Sequence, residues 1–205
     1  MALSKRTDPL LGPNPLYDSF ARALRNAYHL RDNPDGIISL GIAENTIMYD
    51  DLAEFLDKNL KITPDILGYG AVAPGLPSLF QGLLKLYNAQ PFNPVIPVKP
   101  EHMYFTAGCT ALLDQLFYSL CDEGDGVLIG KPMYGGFVND IGTRARAKLL
   151  AVSLKGIDPF SKDAVKRFEE EYLKANCRGI NPRILILCTP HNPLGQYKSL
   201  DVISS

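Results

Sequence analysis

Met103-Tyr-Phe-Thr-Ala-Gly-Cys-Thr-Ala-Leu-Leu-Asp114, running on into Gln115–Cys121, is the stretch on which the reading of the fold depends. Met103–Phe105 has the character of a short apolar strand. Thr106–Thr110 is a tight turn of small residues, and Ala111–Cys121 is expected to be helical. Small side chains at a strand-to-helix turn let backbone N–H groups face outward at the positive end of the helix, which makes an anion site. On this turn alone a second reading stays open: the turn is tight only because helix and strand pack closely. It matches neither the Walker pattern nor G-x-G-x-x-G.

Working outward, three further apolar runs follow: Val127–Gly130, Lys148–Leu154 and Ile184–Cys188. Each is bounded by Gly, Pro or charge. Continuous β-branched and Leu runs indicate strands covered on both faces, as in a mostly parallel sheet. Between the last two lies Asp163–Asn176, with Val165, Phe168, Tyr172 and Leu173 at helical spacing and its charges on the other side. Alternation of strand and helix predicts an α/β layer architecture. Ligand sites in such sheets lie beyond the carboxyl ends of strands. Thr106–Thr110, Lys131–Gly136 and Thr189–Gly195 all hold that kind of position, so they can converge.

Upstream, Met1–Asn14 reads as an extended arm rich in Pro, Gly and charge. Leu16–Leu30 has Leu16, Phe20, Ala23, Leu24 and Ala27 at helical spacing, with Pro15 suited to a first turn. Asn33-Pro-Asp-Gly36 is turn chemistry. A second amphipathic helix carries Leu52, Phe55, Leu56 and Leu60, with Asp50 as its expected N-cap. Tyr69–Gly75 is a Gly/Pro-rich connection. A third helix places Leu76, Leu79, Phe80, Leu83, Leu84 and Tyr87 on one face. Pro91–Pro100 is a proline-rich spacer that marks a boundary between an N-terminal helical layer (residues 1–95) and an α/β body (residues 96–205).

The chain has 205 residues, 46% hydrophobic and 21% charged, with 21 basic and 22 acidic side chains. That length supports one sizeable core, or one domain and part of another. The charge balance gives no electrostatic case for nucleic acid or an anionic membrane. No stretch approaches the ~20 apolar residues of a membrane span and no charged-then-apolar leader is seen, so a soluble, cytoplasmic protein is expected. Cys109, Cys121, Cys177 and Cys188 lack C-x-x-C spacing and are expected to be free, buried thiols. His29, His102 and His191 are scattered, so no metal site is expected; these histidines and Lys131 are read as structural or surface residues.

Taken in order, the blocks resemble the class I/II pyridoxal-phosphate enzymes of the aspartate aminotransferase fold, in the branch that contains 1-aminocyclopropane-1-carboxylate (ACC) synthase. Gly41-Ile-Ala-Glu-Asn-Thr-Ile47 is similar to that branch's G-L-A-E-N-x-L, and Pro74-Gly-Leu-Pro77 to its H-G-L-P. Thr106–Asp114 stands where the family has its phosphate turn, with Cys109 and Ala111 in place of Ala and Gly. Pro132-Met-Tyr-Gly-Gly-Phe137 is similar to P-Y-Y-P-x-F, and His191-Asn-Pro-Leu-Gly195 carries N-P-L-G. An isolated N-P-L-G is weak; the ordered series is specific.

The resemblance implies fold type I: a partial large domain with a mostly parallel sheet, preceded by helical segments of the small domain. It implies pyridoxal 5'-phosphate as cofactor, an amino-acid substrate, and a homodimer or a pairing with a full-length homologue. By the same resemblance, the amides around Cys109 and Thr110 and the Thr110 hydroxyl hold the phosphate. Tyr134 stacks on the pyridine ring, Asn192 donates to the phenolic oxygen, and Pro193 fixes that loop through a bond that can be cis. Ala43, Glu44 and Asn45 meet the substrate's carboxylate end, and Tyr69 reaches the neighbouring subunit's phosphate. The family's Schiff-base lysine, its pyridine-nitrogen aspartate and its substrate arginine follow N-P-L-G by a considerable distance. No lysine of this sequence stands in a matching context. The expectation is therefore a catalytically incompetent polypeptide when alone, with transamination, ring-forming elimination and carbon–sulfur lysis all open for the lineage. A non-catalytic subunit and an unrelated α/β phosphate-binding protein are the alternatives.

Overall fold

The run Val127-Leu-Ile-Gly130 becomes the middle strand of a parallel sheet in the computed structural model, which describes residues 4, 5, 7, 12–68 and 75–197. Along the chain the helices are α1 (Pro15–Arg25), α2 (Tyr49–Asn59), α3 (Pro64–Leu67), α4 (Pro77–Asn88), α5 (Cys109–Leu120), α6 (Phe137–Gly142) and α7 (Lys162–Cys177). The strands are β1 (Gly126–Lys131), β2 (Lys148–Ser153) and β3 (Pro182–Ile186). Contacts divide the chain into two units. One comprises Met1–Arg22 and Ala107–Ser205, the other Ala23–Thr106.

In the first unit the strand order is β2-β1-β3, all parallel. Gly126 pairs with Lys148 and Lys131 with Ser153 on one side; Val127 pairs with Ile184 and Ile129 with Ile186 on the other. Successive strand residues point to opposite faces, and β1 is apolar on both. Val127 packs with Phe117, Cys121 and Ile141 under α5 and α6. Leu128 packs with Leu150, Val152, Ala164 and Ala175 under α7. Phe117 is 2% exposed, and burying such a ring contributes about 2–3 kcal/mol. These two apolar layers, one on each face, hold the strands so that all three carboxyl ends share one edge. A Gly179 at φ +73 closes α7, with the Ile180 N–H donating to the Ala175 carbonyl.

The second unit is built from α2, α3 and α4, and Phe80 is the buried hydrophobic residue described in it. Its ring meets Phe105 edge-on at 4.8 Å. Asn88 ties α4 to the proline-rich stretch, donating to the Val98 carbonyl at 3.0 Å and accepting from the Val98 N–H at 2.8 Å. Leu52, Phe55 and Leu60 of α2 are about half exposed or more.

Several expectations are corrected. Met103–Phe105 is extended but enters no ladder among the described residues, because a strand needs a partner edge as well as apolar residues. The helix from Leu16 stops at Arg25, short of Leu30: the Asn26 carbonyl accepts from Ile37 and the Tyr28 N–H donates to Ile37, so this backbone pairs across the turn instead. Asp50 sits inside the first turn of α2, behind an N-cap at Met48. There its charge still opposes the helix dipole favourably. β3 alternates between half-buried and exposed residues, so it is not covered on both faces. All four cysteines are free, yet Cys109 and Cys177 are exposed and Cys121 is buried. No helix among the described residues is long and apolar enough to cross a membrane.

Candidate functional site

The carboxyl edge of the sheet is where backbone groups and loops gather. β1 and β3 are neighbours and parallel, so the loops leaving Lys131 and Ile186 emerge side by side. Helix α5 runs back toward the amino end of β1, which puts its own N-terminus at the carboxyl edge.

Gly108 starts α5 with φ +90 and ψ 169, a conformation that L side chains avoid. A Cβ on it would meet nothing within 4 Å, so the backbone lies open to a ligand. The first helical bond runs from the Leu112 N–H to the Gly108 carbonyl at 3.3 Å. The amides of Cys109, Thr110 and Ala111 precede it and project from the positive end of a 12-residue helix. Both Cys109 and Thr110 are exposed. Thr110 donates its hydroxyl proton to the carboxylate of Asp140, a residue of α6 that is only 9% exposed. Burial raises the Asp140 pKa, the Thr110 hydrogen bond works against that rise, and the Asp114 carboxylate adds to it. Asp114 is paired with Arg144 at 2.7 Å, whose guanidinium lies 4.0 Å above the Tyr118 ring.

Thr110, Asp114 and Asp140 line an open hollow of about 970 Å³ together with Ala107, Gly135, Asn139 and the segment Gly12–Tyr17. Asn14 shapes that segment: its Oδ1 accepts from the Leu16 and Tyr17 amides at 3.2 and 3.3 Å, which starts α1.

Tyr134 folds back over its own loop. Its ring covers Gly136, where a Cβ would collide with it, and meets Phe137 edge-on at 5.5 Å. It stays 42% exposed. Asn192 lies on the loop after β3, with a cis bond to Pro193. Both His191 and Asn192 line a void of about 20 Å³ against Met133, Phe137 and Phe168. That volume suits at most one water. The His191 carbonyl accepts from Gly195, and the His191 ring meets Phe160 at 5.8 Å.

Thr110 and Tyr134 thus meet through Gly135, and Tyr134 and Asn192 through Phe137. The three sit on consecutive stretches of one rim without opening into a single hollow: Thr110 faces the large one, Asn192 the small one, and Tyr134 lines neither. Ala43, Glu44 and Asn45 belong to the other unit, all exposed, where the Glu44 carboxylate accepts from the Tyr49 hydroxyl at 3.2 Å. Partial desolvation and then Glu44 push the Tyr49 phenol up. Tyr69 lies outside the described residues. Asp140 is the site residue that sequence reasoning missed. Its signal was an acid set inside the apolar spacing of Phe137 and Ile141.

Comparison with known proteins places this geometry. The family model for aminotransferase class I and II matches residues 36–204. The aminotransferase verI of Clonostachys rogersoniana is 32% identical over 171 residues, covering 82% of this chain and 39% of that protein. The 1-aminocyclopropane-1-carboxylate synthase 1 of Prunus mume is 28% identical, covering 94% and 40%. Among solved structures, a Thermus thermophilus aspartate aminotransferase superposes with a TM-score of 0.65 at 21% identity, covering 99% of this chain and 48% of that one. The chain spans about two fifths of the length of these curated relatives. The fold is therefore of the aspartate aminotransferase type, and the chain belongs to the class I and II aminotransferase family.

Proposed function

We propose that residues 1–205 contribute the phosphate, ring and phenolic-oxygen contacts of a pyridoxal-phosphate-dependent, ACC-synthase-like enzyme acting on amino acids. The carrying observation is the open first turn of α5, with Gly108 at positive φ, beside the loops that bear Tyr134 and Asn192. The donor set fits a phosphate monoester: three first-turn amides, a helix dipole and a hydroxyl, with no Cβ in the way. The cofactor, when bound, supplies a carbonyl that condenses with an amino acid and a ring that takes up charge.

In this reading Thr110 and the Cys109 amide bind the phosphate. Tyr134 presents a flat face to the ring and sets its tilt. Asn192 donates its side-chain amide to the phenolic oxygen. Ala43, Glu44 and Asn45 approach the substrate carboxylate, and Tyr69 serves a second subunit of a cytoplasmic dimer. No lysine of the 205 residues has the family's Schiff-base context, so this polypeptide by itself is expected to bind the cofactor without turning over amino acids. The exposed Leu52, Phe55 and Leu60 favour a second reading, a non-catalytic subunit that pairs with a full-length homologue.

Fluorescence titration with pyridoxamine 5'-phosphate and with pyridoxamine tests the first reading. Saturable binding that needs the phosphate supports it, and equal or absent binding of the two sinks it. Co-purification with a full-length homologue, against size-exclusion of the chain alone, tests the second.

A further inference from the structure

A buried carboxylate beside a phosphate turn poses an electrostatic conflict. Asp140 is only 9% exposed, lines the same hollow as Thr110, and holds the hydroxyl of Thr110 as its hydrogen-bond donor. While Asp140 is ionised, the Thr110 proton is committed to it. The lone pairs of the Thr110 oxygen then face the hollow, and a phosphate dianion placed at the first-turn amides meets an acceptor plus a nearby negative charge. Both oppose binding.

One proton reverses the arrangement. A protonated Asp140 donates its O–H to the Thr110 oxygen, and the Thr110 hydroxyl turns to donate into the hollow. The same step removes the buried charge. Resting on the phosphate reading of this turn, we infer that Asp140 takes up a proton when the turn binds a phosphate-type dianion, so that the anion affinity of the site falls as pH rises.

Asp140 is poised for this. Burial already pushes its carboxyl up, and the facing charges push the same way. From α5 it faces Asp114, whose own charge is offset by Arg144, and the Cys109 thiol on the first turn. The N-terminal segment brings the Tyr17 phenol to the hollow. From β2, the other element packed on α6, the charged side chain is Lys148. Its ammonium lies near Gly124, at the opposite end of the sheet. No cation among these contacts Asp140 directly. Asp140 is thus a positioning residue, acting on the ligand through the Thr110 hydroxyl.

Sulfate is the appropriate probe, because it remains a dianion throughout the useful range whereas a phosphate monoester titrates near pH 6. Its binding to the full 205-residue chain is followed through the Thr110 and Ala111 amide resonances from about pH 5 to pH 8. Proton uptake is read by calorimetry in two buffers of different ionisation enthalpy. Affinity is expected to fall roughly tenfold across that range, about the worth of one hydrogen bond to a charged group. Net proton uptake accompanies binding. Asp140→Asn donates to Thr110 at every pH and is expected to bind sulfate with a flat profile. A flat wild-type profile with no proton uptake overturns the inference and leaves the phosphate reading standing. A fall retained in Asp140→Asn assigns the titration to another group and also overturns it. If wild type binds neither sulfate nor pyridoxamine 5'-phosphate at any pH, the phosphate reading fails and this inference with it. The calorimetric readout needs no variant, so an unfolded Asp140→Asn leaves the test intact.

Discussion

The Thr110 hydroxyl donates a hydrogen bond to the Asp140 carboxylate, joining the first turn of α5 to the short helix α6. This single contact links the helix end that faces the large hollow to the layer that packs on the sheet. It also sets how the fold responds to acid.

Burial raises the Asp140 pKa above its unfolded value. Such a group adds stability that is fully present below the unfolded value and is lost as pH rises through the folded one. Asp140→Asn is therefore expected to be no less stable than wild type at neutral pH and to lose wild type's gain toward acid. Thr110→Val removes the donor and leaves a buried carboxylate unsatisfied, at a cost of about 1–3 kcal/mol near neutrality. Urea midpoints of both variants at two pH values check the pair.

Gly136 makes room for the Tyr134 ring, so Gly136→Ala must displace that ring. Stability is expected to change little, because the ring is 42% exposed. Affinity for pyridoxamine 5'-phosphate is expected to drop several-fold as the stacking face is lost. The chain has no Trp, so tyrosine fluorescence and near-ultraviolet dichroism report the displacement cleanly.

Phe117→Ala empties the centre of the layer under α5 and α6, where Phe117 is 2% exposed. It is expected to cost about 3–5 kcal/mol. Denaturant unfolding measures this, and most of the loss should appear as a shifted midpoint with an unchanged slope.

Arg144→Ala breaks a half-exposed pair with Asp114 and a stacking contact with Tyr118. The direct effect on stability is expected to stay below about 1 kcal/mol. The informative effect is indirect: an unpaired Asp114 pushes Asp140 further up, so the carboxyl resonance of Asp140 titrates at higher pH than in wild type.

The three strands were legible because parallel strands buried on two faces are written as unbroken apolar runs, and α4, α5 and α7 because their periodicity spans three turns or more. Helix α6 was not legible: six residues, one of them Gly142 and two of them Asn139 and Asp140, give no repeat to read. The Met103–Phe105 segment misled for the opposite reason, since local apolar character indicates extension while pairing depends on residues far away in the chain. For the site, Thr110, Tyr134 and Asn192 were found through motif blocks, and the structure sets them along one rim. Asp140 belongs to no such block. Its importance comes from burial and from a partner thirty positions earlier, which only the folded chain reveals.

Asp140 and Ile141 are consecutive: one lines the hollow, and the other, with no exposure at all, is part of the apolar layer against β1. Selection for ligand affinity and selection for foldability therefore act on the same half-turn of backbone. A saturation library across α6 will yield few variants that separate the two traits, and occupancy of the hollow will register as a rise in melting temperature.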